Sequence, residues 1–137
     1  VLKAIPVVVG VAFKRALLAS FRDTMAANLN LTIFIDLLFA TSGIEREVIA
    51  DATEMEPFPG IKVKLAKTPS LIAMKVLSAD WKTRPQDVLD IQQLLEVADS
   101  NDLATSRHLL DLITERGYHR NKDLQKDLDR YIEQFTD

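Results

Sequence analysis

The sequence predicts a mixed α/β (α+β) domain, a small sheet followed by a C-terminal bundle of about four helices. Three observations carry that expectation. "LTIFIDLLFA", Leu31 to Ala40, is a continuous apolar run, β-branched and aromatic-rich, of the length and kind found in strands buried on both faces. "IKVKLAK" alternates apolar residues with lysines, as a strand with one wet face does. From Thr68 onward the apolar residues recur at helical spacing, punctuated by helix start and stop signals.

Composition bounds the function. At 137 residues the chain is about one domain long, with 47% apolar and 27% charged residues, as in an ordinary globular chain. The net charge of −3 gives no global basic field of the kind that marks nucleic-acid binding. Without cysteine there is no disulfide framework, zinc-thiolate site or cysteine nucleophile, which suits a reducing cytoplasm. No apolar run reaches the roughly 18 residues that a membrane helix needs, so no membrane partner is expected. The opening "VLKAIPVVVGVAF" lacks a signal peptide's basic start and cleavage site. The chain starts at Val1, so part of the natural N-terminus is expected to be missing.

Each element has its own signal. "IPVVVGVAF" is β-rich and runs into a segment in which Phe13, Leu17, Phe21 and Met25 recur every four residues, a helical pattern. Asn28 to Asn30 break it before the Leu31–Ala40 run, and "TSG" closes that run. "IEREVIADA" reads as a strand returning beside it, and "PFPG" as a turn before "IKVKLAK". Thr68-Pro69 reads as an N-cap followed by proline in the first turn. Thr83 and Gln86 have capping-box spacing for a helix ending near Ala98. "NDLATSRHLLDLITERG" starts with Asn and Asp and ends at Gly117, the residue type favoured just past a helix end. Leu124, Leu128, Tyr131 and Phe135 form the apolar face of a last helix. The expected organisation is a head, residues 1–67, and a helical region, residues 68–137, packed as one unit.

The chemistry-bearing candidates are few. Asp36 is the single charge in the Leu31–Ala40 run and shares a face with Phe34 and Leu38. A carboxylate there is costly to bury unpaired, so it is either a ligand or base facing a cleft, or a strand-end residue paired with a lysine. Lys75 interrupts "SLIAMKVLSA", where Ser78 is the one other polar residue between Leu71 and Ala79. It either snorkels its ammonium to water or meets an anion across a cavity. Arg84, Asp87 and Asp90 open the following helix. Asp87 suits the positive end of the helix dipole. Asp90 borders the apolar stripe and wants a cation, which Lys75 or Arg84 can supply; a salt bridge between the two helices is the plainest account. His108 and His119 have no metal-ligand spacing, Ser42-Gly43 has no nucleophile-elbow context, and Gly10 stands alone. "KDLQKDLDR" reads as a solvated helix face.

Together these residues resemble a known pattern. The segment from Leu31 to about Ala98 is similar to the second half of the AbiEii-type toxin-like nucleotidyltransferases. In that family a strand carrying an aspartate, like "FIDLLF", precedes an acidic hairpin and a glycine-led strand like "GIKVKLA". A helix like "SLIAMKVLSA" and a segment like "RPQDVLDIQQLL" follow. The resemblance implies a polymerase-β-like nucleotidyltransferase fold with a small mixed sheet. It also implies two-metal chemistry, in which carboxylates hold Mg2+ ions that bridge the phosphates of an NTP. Asp36 would match the third metal carboxylate and a catalytic residue. Lys75 would lie near the nucleotide phosphates, Asp87 and Asp90 would be the acidic pair beside the pocket, and Arg84 its flanking cation.

The departure lies upstream. The family's first motif, R-x-T-x-D-x-D-L after a glycine turn, supplies the first two metal carboxylates, and no D-x-D precedes Asp36. Either that leading strand pair is missing, as the helical spacing of Phe13 to Met25 favours, or the motif has decayed. In the second case Arg22 and Thr24 keep their places while Ala26 and Asn28 replace the aspartates. Under both, the chain is expected to be an incomplete or degenerate nucleotidyltransferase domain and an inefficient transferase, with one of three metal ligands. The alternative is a non-catalytic binding or oligomerisation module on the same scaffold. Missing strands would leave a sheet edge that a second copy could cover, so a homodimer is one expectation. An antitoxin, or an acceptor RNA or protein, are the other partners the resemblance allows.

Overall fold

The described residues, 7–8 and 41–136 of a computed structural model, place a small mixed sheet before four packed helices, the α+β order that the hydrophobic spacing predicts. The expected helix of Phe13 to Met25, and the expected strand that carries Asp36, lie outside the described residues. Strand β2 (Thr53–Phe58) pairs antiparallel with β3 (Ile61–Leu65), with Thr53 opposite Leu65 and Met55 opposite Val63. The turn between them puts Gly60 at φ +81°, the left-handed region that a residue without a Cβ enters freely. Its N–H is held by the Glu56 carboxylate at 2.6 Å. On the other side of β3 the two-residue strand β1 (Val7–Val8) pairs parallel to Lys64 and Leu65.

One expected strand is a helix. "EREVIAD" forms α1 (Glu45–Asp51), with Ile44 and Val48 buried four residues apart on one face. That spacing is helical, and the β-branched Val48-Ile49 pair made the segment look extended. Its start is fixed by Glu45, whose carboxylate accepts from the Thr41 and Ser42 N–H groups at 2.8 and 2.7 Å and from the Ser42 hydroxyl at 2.7 Å.

The helical region consists of α2 (Thr68–Ser78), α3 (Pro85–Leu95), α4 (Ser100–Glu115) and α5 (Leu124–Phe135). Helix α2 is apolar on most of its surface and packs against the three others, as such a helix must. Ile72, Val76, Ile91, Leu110 and Ile113 have no exposed surface, and each such burial favours folding by about 1.5–3 kcal/mol. Ile44, Val48 and Ala66 join the same core, so α1 and the residue just after β3 share it with the helices.

The helix ends only partly follow the expected caps. Thr68 is the first residue of α2 rather than its cap; Lys67 precedes it, with no side-chain cap bond. The Thr83–Gln86 capping box does not form. Arg84 is the residue before α3, and Pro85 opens the helix. The job falls instead to Asp80, which accepts from the Lys82 and Thr83 N–H groups at 2.7 and 2.9 Å and holds a tight turn closed by the Arg84 N–H. Helix α4 starts one residue earlier than "NDL" suggested, on a capping box between Asp99 and Asp102. Its end is as read: Gly117 sits at φ +80° while the Tyr118 and Gly117 N–H groups close on Ile113 and Thr114.

Candidate functional site

Four of the five residues singled out from the sequence meet at the joint between α2 and α3. Lys75 lies on the last full turn of α2, and Asp87 and Asp90 lie one turn apart on α3, facing it. The Lys75 ammonium is 2.7 Å from Asp87 Oδ1 and 2.8 Å from Asp90 Oδ2. Arg84 reaches forward along its own chain, with Nε 2.8 Å from Asp87 Oδ2. Asp36, the fifth, lies outside the described residues.

Two members escaped the sequence reading. The Ser78 hydroxyl donates to Asp87 Oδ2 at 2.8 Å, and the Gln86 side-chain amide donates to Asp90 Oδ1 at 3.1 Å. Both had a signal. Ser78 follows Lys75 by three residues and so shares its helix face, and Gln86 precedes Asp90 by four. With them, all four oxygens of the two carboxylates have partners.

No protein-family model matches the sequence, and neither does any curated protein. The two acids are almost wholly covered, at 4% and 7% side-chain exposure, whereas Lys75 keeps 17% and Arg84 57%. The carboxylates thus form the floor, Lys75 lies largely covered above them, and Arg84 is the solvent-facing member. Burial alone would lower the Lys75 pKa, but the hydrogen bonds and charges of Asp87 and Asp90 outweigh it and hold the ammonium above its ordinary range. Burial likewise pushes the Asp87 carboxyl up. Bonds from Lys75 and Ser78, with the Arg84 charge behind them, pull it below the usual carboxylate value. Both groups are charged across the neutral range.

Magnesium does not fit this cluster. A divalent ion needs free carboxylate oxygens, and those of Asp87 and Asp90 are taken by two cations, a hydroxyl and an amide. Among the described residues no group of three or more His, Asp or Glu side chains is arranged to hold a metal. Two clefts of about 480 and 520 Å3 open elsewhere, one beside Lys67 and Asp102 and one beside His119 and Asp123; neither is lined by Lys75 or Arg84. Among the described residues no helix is long and apolar enough to cross a membrane.

A further lysine, distant in sequence, braces the joint. Lys122 donates to the carbonyls of Val76, Leu77 and Ala79 at 2.6, 3.2 and 3.1 Å, closing the C-terminal end of the helix that carries Lys75. Burial draws its pKa down, with Asp127 pulling the other way from 3.7 Å. Nothing near Lys122 in the sequence announces this role.

Proposed function

We propose that the chain is a nucleotidyltransferase-like domain, in a cytoplasmic protein, whose Lys75 and Arg84 receive the phosphates of an NTP. One observation supports this above the others: two buried carboxylates hold a partly covered lysine and an exposed arginine side by side, with Arg84 at the surface and Lys75 just beneath it. Preorganised cations bind a polyanion without the entropy cost of ordering two long side chains. The resemblance of "SLIAMKVLSA" and "RPQDVLDIQQLL" to the AbiEii-type toxin-like family points the same way, and in the intact family a nucleotidyl group passes to an acceptor hydroxyl. The residues of this chain would bind and orient the triphosphate. Metal-assisted transfer belongs to Asp36 and to carboxylates that this sequence does not contain, so this chain alone binds nucleotide and transfers inefficiently.

A second reading has an observation of its own. Because every oxygen of Asp87 and Asp90 already has a protein partner, the same cluster works as an ion network that locks α2 to α3. The domain would then be a non-catalytic binding module. Calorimetric titration with each NTP, with and without Mg2+, separates the two. Saturable binding that Arg84→Ala weakens and Lys75→Ala abolishes, each measured well below the variant's melting temperature, supports the nucleotide site. No binding by the unmodified chain leaves the locking network as the whole role of the cluster.

A further inference from the structure

Trp81 sits at the tip of the tight turn between α2 and α3. The turn is hydrogen-bonded: the Asp80 carboxylate accepts from the Lys82 and Thr83 N–H groups, and the backbones of Asp80 and Arg84 pair across it. Beneath the indole lies the Tyr131 ring, with centroids 5.9 Å apart and planes tilted by 35°, and Tyr131 in turn stacks parallel on Phe135 at 6.3 Å. Tyr131 is buried, yet Trp81 above it is 48% exposed. Burial raises the Tyr131 pKa, and the Asp127 charge raises it further while Arg130 pulls the other way.

A tryptophan half in water forgoes hydrophobic stabilisation unless something covers it. This one is carried on a hydrogen-bonded turn and rests against a ring below. Its neighbours along the turn are the exposed cations Lys82 and Arg84, and Arg84 is the outermost member of the ion cluster. An exposed aromatic surface flanked by cations is the chemistry that stacks a nucleobase while holding its phosphate. We propose that the exposed indole of Trp81 is a stacking platform for the base of a nucleotide whose phosphates meet Arg84 and Lys75. The inference rests on the nucleotide reading for the phosphate half, while the base half stands on Trp81 itself.

Trp81 is the chain's one tryptophan, so its fluorescence reports on this position alone. Titration of the chain with ATP, GTP, adenosine and inorganic tripolyphosphate reads the two halves separately, with calorimetry alongside. Saturable quenching by ATP and GTP, weaker quenching by adenosine and little by tripolyphosphate is the expected pattern. Trp81→Leu, which keeps an apolar cover over Tyr131, should weaken ATP binding about fivefold to a hundredfold and leave tripolyphosphate binding unchanged. Trp81→Phe should lose less. If tripolyphosphate binds through Arg84 but ATP binds no tighter and leaves the indole unquenched, the platform is wrong and the phosphate site stands. If adenosine quenches while tripolyphosphate does not bind and Arg84→Ala changes nothing, the platform stands and the phosphate reading fails. Absence of both binding and quenching overturns both.

Discussion

The Lys75 ammonium lies 2.7 Å from Asp87 Oδ1, across the joint between two helices, and the acid is the more deeply covered of the two. A carboxylate in that position depends on its cation, and so does Asp90, which shares it at 2.8 Å. From this relationship follow an order of mutational costs and a pH profile.

Lys75→Met leaves two covered carboxylates without their shared cation and should cost about 3–5 kcal/mol. Asp87→Asn leaves Lys75 paired with Asp90 and should cost less, about 1–3 kcal/mol. Arg84→Ala removes a half-exposed partner and should cost under about 1 kcal/mol. Urea unfolding of the three variants checks the order. Replacing Lys75, Asp87 and Asp90 together by Met, Leu and Leu should recover most of the Lys75→Met loss, because no buried charge is then left alone.

The same pair sets stability against pH. The Asp87 carboxyl is held below its ordinary value of 3.8, so its contribution is present above that pH and is lost as pH falls through the lower, folded-state value. The Lys75 ammonium is held above 10.5, so its contribution is complete below that pH and is lost as pH rises through the higher, folded-state value. As far as this cluster is concerned, melting temperature should be flat from about pH 5 to 9 and fall at both ends. Asp87→Asn should flatten the acid limb relative to the unmodified chain.

Lys122 should matter more than its place in a loop suggests. Lys122→Met frees three carbonyls at the end of α2 and should cost about 1–3 kcal/mol in urea unfolding. Asp127→Asn should cost less, since that carboxylate is 3.7 Å away and faces Arg130 as well.

Gly43 is fixed by two constraints. Its φ is +76°, and a Cβ there would lie 2.5 Å from Tyr118 Cδ2. Gly43→Ala should lower stability by about 1–2 kcal/mol for the backbone conformation alone, and by more with the ring in place. In a Tyr118→Ala background the excess should vanish and the backbone part remain, which thermal melts of the single and double variants can read.

What the sequence made legible follows from the range over which each feature is determined. Leu124, Leu128, Tyr131 and Phe135 set their helix by spacing alone, and the first three are buried while Phe135 packs against the core from its edge. The alternation of "IKVKL" likewise sufficed for β3. The candidate cluster was legible because a lysine in an apolar helix and an aspartate beside an apolar stripe are each expensive alone, and the cheapest remedy is each other. The α1 segment misled because charged residues flank two β-branched ones, and only the burial of Ile44 with Val48 separates helix from strand there. Lys122 and the Trp81–Tyr131 stack were invisible, since the partners are 43 or more residues apart for the lysine and 50 positions apart for the rings.

The most direct measurement is of the Lys75 ammonium itself. In a 15.4 kDa chain a side-chain NH3+ held by two carboxylates exchanges slowly enough for its 15Nζ resonance to be followed by NMR. Titration with MgATP should move that resonance saturably, with the same dissociation constant that calorimetry gives, and Arg84→Ala should weaken the effect. A Lys75 resonance that stays fixed at saturating nucleotide would contradict the account and leave the cluster as a lock between two helices.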